Sequence, residues 1–231
     1  MAEDPSTTRR VLGNNALSLA FAAFFVASLL GQGWAGWAQF NDQQQLEGLG
    51  KISLAEYLTS ADFAVDVAEN WQSEYLQFLV FIVLAMWLVQ KGSTESKTPG
   101  EEGLETDEEQ KLGDHTEPDS PAWAQAGGWR TWTLSWSLTL VMTSIFLASW
   151  ATQWVAGWAA YNETRLQNMS DPVALFGYLG KADFWSRSLQ NWQSEFLAVG
   201  SMVIFSVFLR QRGSPQSKPV GEPHATTAAE G

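Results

Sequence analysis

The sequence has no cysteine and only two histidines, the residue types that most often hold zinc and haem in proteins. Without cysteine the chain forms no disulfide, no thiolate metal site and no cysteine nucleophile. His115 and His224 lie in polar segments, which excludes histidine-ligated haem inside a membrane and any zinc site that needs histidine or cysteine. We therefore expect no metal and no cofactor.

Charge is also scarce, and positive charge most of all. Charged residues make up 16% of the chain, against roughly 25% in typical soluble domains. The 25 acidic residues outnumber the 13 basic ones, which gives a net charge of −12. This balance argues against nucleic acid as a partner, because phosphate binding needs clustered lysine and arginine.

What the chain does have is four long runs without charge. The first covers residues 11–41 and the third residues 131–162, and each exceeds the ~20 residues that cross a bilayer. The second, 75–90, and the fourth, 196–209, are shorter and gain length if their helices begin further upstream. Tryptophans cluster near the predicted ends of these runs, as in the aromatic belts of membrane proteins. The runs predict four transmembrane helices.

An internal repeat organises these runs. The heptapeptide NWQSEYL at Asn70 recurs as NWQSEFL at Asn191, and the 121-residue shift holds without a gap between residues 9–97 and 130–218. Roughly 30 of about 89 aligned residues are identical. The predicted fold is therefore an all-α membrane protein with four transmembrane helices, arranged as two tandem helical hairpins. Because each hairpin has two helices, both insert in the same orientation, related by a pseudo-twofold axis along the membrane normal.

The predicted organisation has five parts. The segment between the hairpins, with the run GEEGLETDEEQKLGD, has the low apolar content and excess acid of a disordered linker. In chain order the parts are a cytoplasmic N-terminal tail (1–10), the first hairpin repeat (11–97), the acidic linker (98–128), the second hairpin repeat (129–218) and a disordered C-terminal tail (219–231).

Basic residues at the helix ends predict the orientation. Arg9 and Arg10 precede the first helix, Lys91 follows the second and Arg130 precedes the third. The loop of residues 42–69 has one lysine against six acids, whereas the loop between the third and fourth helices is mixed. Both termini and the linker are thus predicted to be cytoplasmic. The start TTRRVLG resembles a twin-arginine export signal, but its counterpart in the second repeat lies in mid-chain, which argues against a cleaved signal peptide.

The retained heptapeptide marks the strongest candidate site. Asn70, Ser73 and Glu74 share one helix face, and Glu74 is predicted to lie about one turn below the outer membrane surface. A carboxylate at that depth is costly, so it should face protein instead of lipid. The candidate polar site consists of Asn70, Gln72, Ser73, Glu74 and Gln32 in the first repeat and of Asn191, Gln193, Ser194, Glu195 and Gln153 in the second.

Three interpretations of this site stay open. The cluster can be a hydrogen-bonded cap that locks a helix pair. It can be a proton or cation site, formed where Glu74 and Glu195 approach each other. In the third interpretation the two carboxylates act as acid and base, although nothing else in the chain completes a known catalytic site.

Other retained residues predict packing and helix starts. Small or polar residues spaced by four predict a seam through which helices pack, or through which a homo-oligomer forms, with a polar pathway along Gln32 and Gln153 as the alternative. These residues are Ser28, Gln32 and Gly36, and Ser149, Gln153 and Gly157. The aspartates Asp62 and Asp183 predict N-caps of the second and fourth helices.

Each outer loop is also predicted to hold a short helix. In the first loop, Ser53 and Glu56 fit a capping box. In the second, Asp171 followed by Pro172 fits a cap with proline at the first helical position. Tyr57 and Tyr178 would then lie at the membrane interface.

The heptapeptide, together with the tail sequence RQRGSPQSKP, resembles an uncharacterised bacterial integral-membrane family known only as a domain of unknown function. Asn191–Leu197 and Arg210–Pro219 match best, whereas the first repeat departs with VQKGSTESKTP. The resemblance implies a bacterial cytoplasmic membrane and supplies no activity, substrate or catalytic residue.

The sequence therefore favours a non-enzymatic, multi-pass membrane protein with a packing or interaction role and with the lipid bilayer as its partner. The alternative is a small oligomeric transporter or proton/cation pathway that uses Glu74 and Glu195. A membrane enzyme is the third hypothesis.

Overall fold

A computed structural model describes residues 12–229; the predictions on the tail of residues 1–10, with Arg9 and Arg10, lie outside the described residues. Every regular element within residues 12–229 is helical, in agreement with the predicted all-α class. In chain order the helices are α1 (Ala16–Leu46), α2 (Leu54–Leu58), α3 (Ala61–Leu84), α4 (Ala122–Gln125), α5 (Gly128–Ser135), α6 (Ser137–Gln167), α7 (Leu175–Tyr178) and α8 (Ala182–Phe208), with a 3₁₀ turn at Gly113–His115.

Two of these helices, α1 and α6, are long and apolar enough to cross a membrane, with 31 residues each. The most apolar 18-residue stretch is 6% buried in α1 and 17% buried in α6, far below the burial of a core helix. The sequence predicted four such helices, and residues 12–229 contain two. Helix α3 ends at Leu84, inside the charge-free run, and α8 carries charged residues through its first half, so the apolar part of each is shorter.

Helices α1 and α6 occupy equivalent places in the two repeats and end in the same way. Each is followed by a residue with positive φ, Gly48 at 75° and Met169 at 54°. The next backbone N–H then donates to a carbonyl of the last turn at 2.8 Å in both repeats. Glycine suits this left-handed conformation, whereas methionine is strained in it.

The chain divides into two compact units, and the boundary falls between Ala64 and Val65, inside α3. The first unit contains α1, α2 and the first turn of α3. Its core is centred on Tyr57, which is 3% exposed and packs on Phe40 and Phe63 at ring-centre distances of 5.6 and 5.5 Å.

The second unit contains the rest of α3 and all of the second repeat. Its core joins α6 to α7 and α8 through aromatic side chains. Tyr178 and Phe184 are 0% and 2% exposed, and their ring centres are 5.7 Å apart. Trp150 of α6 stacks on Phe184 at 6.0 Å and contacts Trp192 at 5.9 Å.

Candidate functional site

In each repeat the same asparagine holds the loop that follows the first long helix. Asn41 of α1 accepts the N–H of Ile52 at 2.8 Å and donates to its carbonyl at 3.0 Å. Asn162 of α6 makes the same two bonds to Val173, at 2.8 and 2.9 Å. A tryptophan one turn earlier also donates its indole N–H to that carbonyl, at 2.8 Å in the first repeat and 2.7 Å in the second. These retained residues therefore fasten a loop to its own helix.

The retained glycines Gly36 and Gly157 make room for a tyrosine. A Cβ atom at Gly36 would clash with Tyr57 Oη, and one at Gly157 would lie 2.7 Å from Tyr178 Oη. In each repeat, the glycine end of the predicted seam is therefore occupied by the tyrosine of the loop that follows: Tyr57 in the first repeat and Tyr178 in the second. Glycine is required there because the hydroxyl takes the place of a side chain.

Asp183 was predicted to cap α8, and the structure places it elsewhere. The residue at the cap position is Lys181, without a side-chain cap bond, and Asp183 is the second residue of the helix. Its carboxylate accepts the hydroxyl of Tyr178 at 2.6 Å. Burial, reinforced by this carboxylate, raises the pKa of Tyr178 above its ordinary value. The Asp183 carboxylate therefore binds the hydroxyl of a buried tyrosine instead of the free N–H groups at the start of α8.

The other predicted helix starts have mixed outcomes. The capping box of Ser53 and Glu56 is present at α2, which confirms that prediction. At the start of α3, Ser60 accepts the free N–H of Phe63 at 3.2 Å, and Asp62 lies within the first turn instead of at the cap position. Helix α7 begins at Leu175, beyond the predicted cap at residues 171–172, and its cap position has no side-chain bond.

Four side chains of the two heptapeptides bond to their own helices. Asn70 and Asn191 donate to carbonyls four residues earlier, at 2.7 and 3.0 Å. Ser73 and Ser194 donate to carbonyls three residues earlier, at 2.9 and 2.8 Å. Such bonds compete with the main-chain ladder and satisfy these polar groups locally. None of these four donors is directed at a glutamate of the motif.

One residue of the heptapeptide connects the repeats. Gln72 of α3 is fully buried, and its Oε1 accepts the indole N–H of Trp192 in α8 at 2.7 Å. Its amide group also donates to the carbonyl of Glu69 at 3.1 Å. The equivalent residues in the opposite sense, Trp71 and Gln193, are both exposed. The same motif therefore supplies the acceptor in one repeat and the donor in the other.

A second connection was missed at the sequence level. The guanidinium of Arg187 in α8 pairs with Glu69 of α3 at 3.1 Å and lies 3.7 Å from Asp66. It also meets Asp183 of its own helix at 3.4 Å. The Arg187 side chain is 34% exposed and that of Glu69 18%, so the pair is half removed from solvent. The signal was present, because Asp66 and Arg187 are equivalent in the repeat and carry opposite charge.

The two glutamates of the motif are not part of these connections. Within residues 12–229, no hydrogen bond or ion pair reaches the carboxylate of Glu74 or Glu195. Glu74 is exposed, and Glu195 is partly buried. The charge of Glu74 nevertheless acts on Glu195, which places the two carboxylates within electrostatic range of each other.

The two seam glutamines have different surroundings. Gln153 is fully buried beside Ser149, and its amide group donates to Ser188 Oγ of α8 at 3.1 Å. Its Oε1 is buried without a hydrogen-bond partner among the described residues. Gln32 and Ser28 of α1 are exposed. The second seam is therefore occupied within its own repeat, whereas the Ser28–Gln32 face of α1 is open.

The loops that follow α3 and α8 bring the repeats together again. Ser93 Oγ and Ser206 Oγ are 2.8 Å apart and buried. The ammonium of Lys218, which is 1% exposed, donates to the carbonyl of Gly92 at 2.6 Å. It also donates to carbonyls of residues 224 and 226 at 2.9 and 3.0 Å. The equivalent Lys97 bonds instead to Gly103 O at 2.7 Å.

These contacts can hold helices together. No group of three or more histidine, aspartate or glutamate side chains within residues 12–229 is arranged to hold a metal ion. Four of the polar residues bond to main-chain groups of their own helices, and Gln72 and Gln153 bond to side chains of α8, whereas Glu74 and Glu195 are outside these bonds. The arrangement is that of a helix junction.

The family described as "Domain of unknown function (DUF6766)" matches residues 8–229. The chain belongs to this family. The match includes both hairpins and the segment between them, so it is not confined to one copy of the repeat. A comparison with curated proteins found no match, and a comparison with solved structures found none either.

Proposed function

We propose that this DUF6766 protein is a non-enzymatic, multi-pass membrane protein with a packing and interaction role. The observation that carries the proposal is the junction between α3 and α8. Gln72 bonds to Trp192, and Arg187 pairs with Glu69. Polar contacts of this kind fix one arrangement of two helices, because breaking either contact leaves a buried polar group without its hydrogen-bond partner. A fixed junction suits a scaffold better than a moving gate.

The proposed membrane arrangement has four helices, α1, α3, α6 and α8, as two hairpins in the bacterial cytoplasmic membrane. The exposed apolar surfaces of α1 and α6 support it, since such surfaces are stable against lipid. The equivalent loop fastenings of Asn41 and Asn162 support two hairpins of one design. We place the termini and the acidic linker in the cytoplasm because basic residues lie at the adjoining helix ends.

Reporter fusions test this arrangement. A fusion after Glu105, in the linker, should report the cytoplasm, and a matched fusion after Lys51, in the first outer loop, should report the opposite side. A periplasmic result at Glu105 would overturn the topology.

The proposed partner is a second copy of the chain, bound through the Ser28–Gln32 face of α1. That face is exposed, whereas the equivalent Ser149 and Gln153 are buried. Because the chain has no cysteine, a single introduced one is unique. Oxidation of Ser28→Cys in membranes should give a crosslinked dimer, and Ser149→Cys is the matched control that should remain monomeric. Failure of Ser28→Cys to crosslink would remove α1 as the oligomer interface.

A second candidate function is a small oligomeric proton or cation pathway. The observation that favours it is that Glu74 and Glu195 lie outside the hydrogen-bonded junction, within electrostatic range of each other. Carboxylates within membrane helices are typical of ion pathways. The double variant Glu74→Gln/Glu195→Gln should abolish ion flux in proteoliposomes with unchanged thermal stability. A double variant that loses stability and retains flux would eliminate this candidate.

A further inference from the structure

The segments that follow α3 and α8 continue the repeat beyond the residues whose sequences match. Lys97 and its equivalent Lys218 each donate to a carbonyl six residues further on, at 2.7 and 2.9 Å. That residue, Gly103 in the first repeat and His224 in the second, donates in turn to a carbonyl near the end of the preceding helix, at 2.6 and 3.1 Å. We call residues 98–107 and 219–228 the first and second arms, and residues 91–97 and 212–218 the first and second end loops.

The second arm binds the end loop of the other repeat. Gly92 of the first end loop donates its N–H to Thr227 Oγ1 at 2.9 Å and accepts the Lys218 ammonium on its carbonyl at 2.6 Å. The carbonyl of Ser93 accepts the N–H of Ala228 at 3.0 Å. A Cβ atom at Gly92 would clash with the main chain of the second arm, so glycine is required where the arm lies against the loop.

The equivalent surface of the second end loop is open. It has the same glycine and serine, Gly213 and Ser214, and Gly213 has a φ of 82° against 88° at Gly92. A serine near the end of each loop closes it with the same bond, at 2.8 Å in both. Within residues 12–229, no hydrogen bond reaches the N–H or the carbonyl of Gly213, and a Cβ atom there would meet nothing within 4 Å. The loop conformation that binds an arm is therefore present twice and used once.

The first arm has the groups that this open surface needs. Thr106, the equivalent of the threonine that binds the first end loop, is exposed. Its hydroxyl donates to Glu109 and can still accept from a further N–H. Lys97 makes two bonds among the described residues, to Gly103 O and to Glu105. Because an ammonium has three donors, one N–H of Lys97 is left for a further carbonyl.

Charge also matches the first arm to the second end loop. The loop has Arg212 and Lys218 and no acidic residue, whereas the arm has no basic residue and four acidic ones: Glu101, Glu102, Glu105 and Asp107. The pair that is bound within the chain is less complementary, because the second arm has a single acidic residue, Glu222. Arg212 is exposed and has no ion pair within residues 12–229. Complementary charge of this kind steers two surfaces together and disfavours other partners.

We propose that the second end loop binds the first arm of a second copy of the chain. The N–H of Gly213 then donates to Thr106, Lys97 donates to the Gly213 carbonyl, and Asp107 donates its N–H to Ser214. Since each copy has both an open loop and an open arm, two copies can make the contact twice and close as a dimer. This interface is separate from the α1 face, and it rests on the proposed function only in placing both end loops on one side of the membrane.

The experiment uses the full chain, which has no cysteine of its own, in membranes of cells that express two differently tagged forms. One form carries Asp107→Cys and the other Ser214→Cys. Residues joined by a main-chain hydrogen bond can lie within the roughly 4.4–6.8 Å between Cα atoms that a disulfide spans. Oxidation should therefore join the two forms. The matched control is Ser93→Cys/Ala228→Cys in one chain, which should close within that chain.

Two variants of the second end loop test whether the crosslink reports this contact. Gly213→Asn keeps the left-handed conformation, which asparagine tolerates, and adds a side chain where the arm should lie. It should lower the yield of the disulfide about tenfold, the change that ~1.4 kcal/mol of lost binding produces. Arg212→Glu should also lower the yield, most strongly at low salt. Lys91→Glu, at the equivalent residue of the first end loop, is the control and should leave the yield unchanged.

Three outcomes would overturn the proposal. The first is no disulfide between the two forms while the control closes, and the second is a disulfide that survives both loop variants. The third is closure within one chain when Asp107→Cys and Ser214→Cys are combined and that chain is diluted with unmodified protein, because the arm then binds its own chain. The Ser28→Cys crosslink and the Glu105 fusion test the proposed function separately, so either proposal can fail while the other stands.

Discussion

The two repeats share a heptapeptide and use it in opposite ways. In the first repeat the glutamine and serine of the motif, Gln72 and Ser73, are buried. In the second the equivalent Gln193 and Ser194 are exposed, and the tryptophan of that motif provides the bond to Gln72. Under exact twofold symmetry a contact away from the axis is made twice, once in each sense, but Trp71 and Gln193, which are equivalent to Trp192 and Gln72, are both exposed. The duplicated copies have therefore acquired complementary roles.

Charge shows the same divergence. Asp66 and Arg187 are equivalent in sequence and lie 3.7 Å apart across the junction. Two aspartates there would repel each other beside Glu69, whereas an arginine in the second copy binds both acids. The loop bonds of Asn41 and Asn162 and the approach of a tyrosine to Gly36 and Gly157 have stayed alike, whereas the contacts between the repeats have become unlike. Substitutions that restore or exchange the repeat residues test this contrast.

The largest effect is expected from Arg187→Asp, which gives the second repeat the residue of the first. The change removes the cation that neutralises Glu69 and Asp183 and adds a like charge. We expect the free energy of unfolding to fall by about 3 kcal/mol, at the lower end of the range for buried pairs because Arg187 is partly exposed. The measurement is a denaturant titration of the purified protein in micelles.

The exchange Asp66→Arg/Arg187→Asp should recover part of that loss, because opposite charges again face each other. Lys111→Asp is the control for charge reversal alone; it breaks an exposed ion pair with Glu117 and should cost less than about 1 kcal/mol. A stable Arg187→Asp single variant would show that this pairing does not join the helices.

The next effect concerns a contact that the repeats share. Gly157→Ala and Gly36→Ala should each lower the free energy of unfolding by about 2 kcal/mol, since the new methyl group meets a buried tyrosine hydroxyl. Gly200→Ala, where a Cβ meets no neighbour, should raise it by up to about 1 kcal/mol. Thermal denaturation of the three variants, measured side by side, provides the comparison. Equal midpoints for Gly157→Ala and Gly200→Ala would contradict the close approach of Tyr178.

A smaller effect should separate the two motifs. Gln72→Leu leaves the indole N–H of Trp192 without an acceptor and should cost about 1–2 kcal/mol. Gln193→Leu, at the equivalent exposed position, should stay within about 0.5 kcal/mol of the wild type. Urea or detergent unfolding of both variants would show the asymmetry as a difference in midpoint. If the two variants lose stability equally, the motif has the same role in both repeats.

The smallest effect is expected at the ends of α1 and α6. Met169→Gly should stabilise the protein by about 0.5–1 kcal/mol, because it removes a bulky residue from the left-handed conformation, and Gly48→Met should destabilise it by a similar amount. Met169 is 98% exposed, so no packing contact confuses the result. The same unfolding assay measures both variants. If Met169→Gly and Gly48→Met change the free energy of unfolding in the same direction, α1 and α6 do not share this helix end.

Local patterns in the sequence predicted local structure well. The capping box at Ser53 was readable, because hydrogen bonds over three or four residues leave a fixed spacing. A short helix is present in the second loop too, but it begins at Leu175 and lacks the predicted cap. Helix α3, in contrast, ends at Leu84, inside an apolar run that gives no sign of a break. The caps assigned to Asp62 and Asp183 were each misplaced by two residues. An aspartate near a helix start can equally accept a hydroxyl, as Asp183 accepts that of Tyr178.

By itself, the sequence determined the helical class, the tandem repeat, the apolar character of α1 and α6 and the residues worth retaining in each hairpin. Those features are periodic or local, so they can be read from the order of the residues alone. Only the tertiary structure decided which copy of a retained residue is used: that Gln72 binds Trp192, that Arg187 binds Glu69, and that Gln153 is enclosed while Gln32 is exposed. The physical reason is that a hydrogen bond or ion pair across about 120 residues depends on how helices pack, and identical repeats give no indication of which partner each will meet.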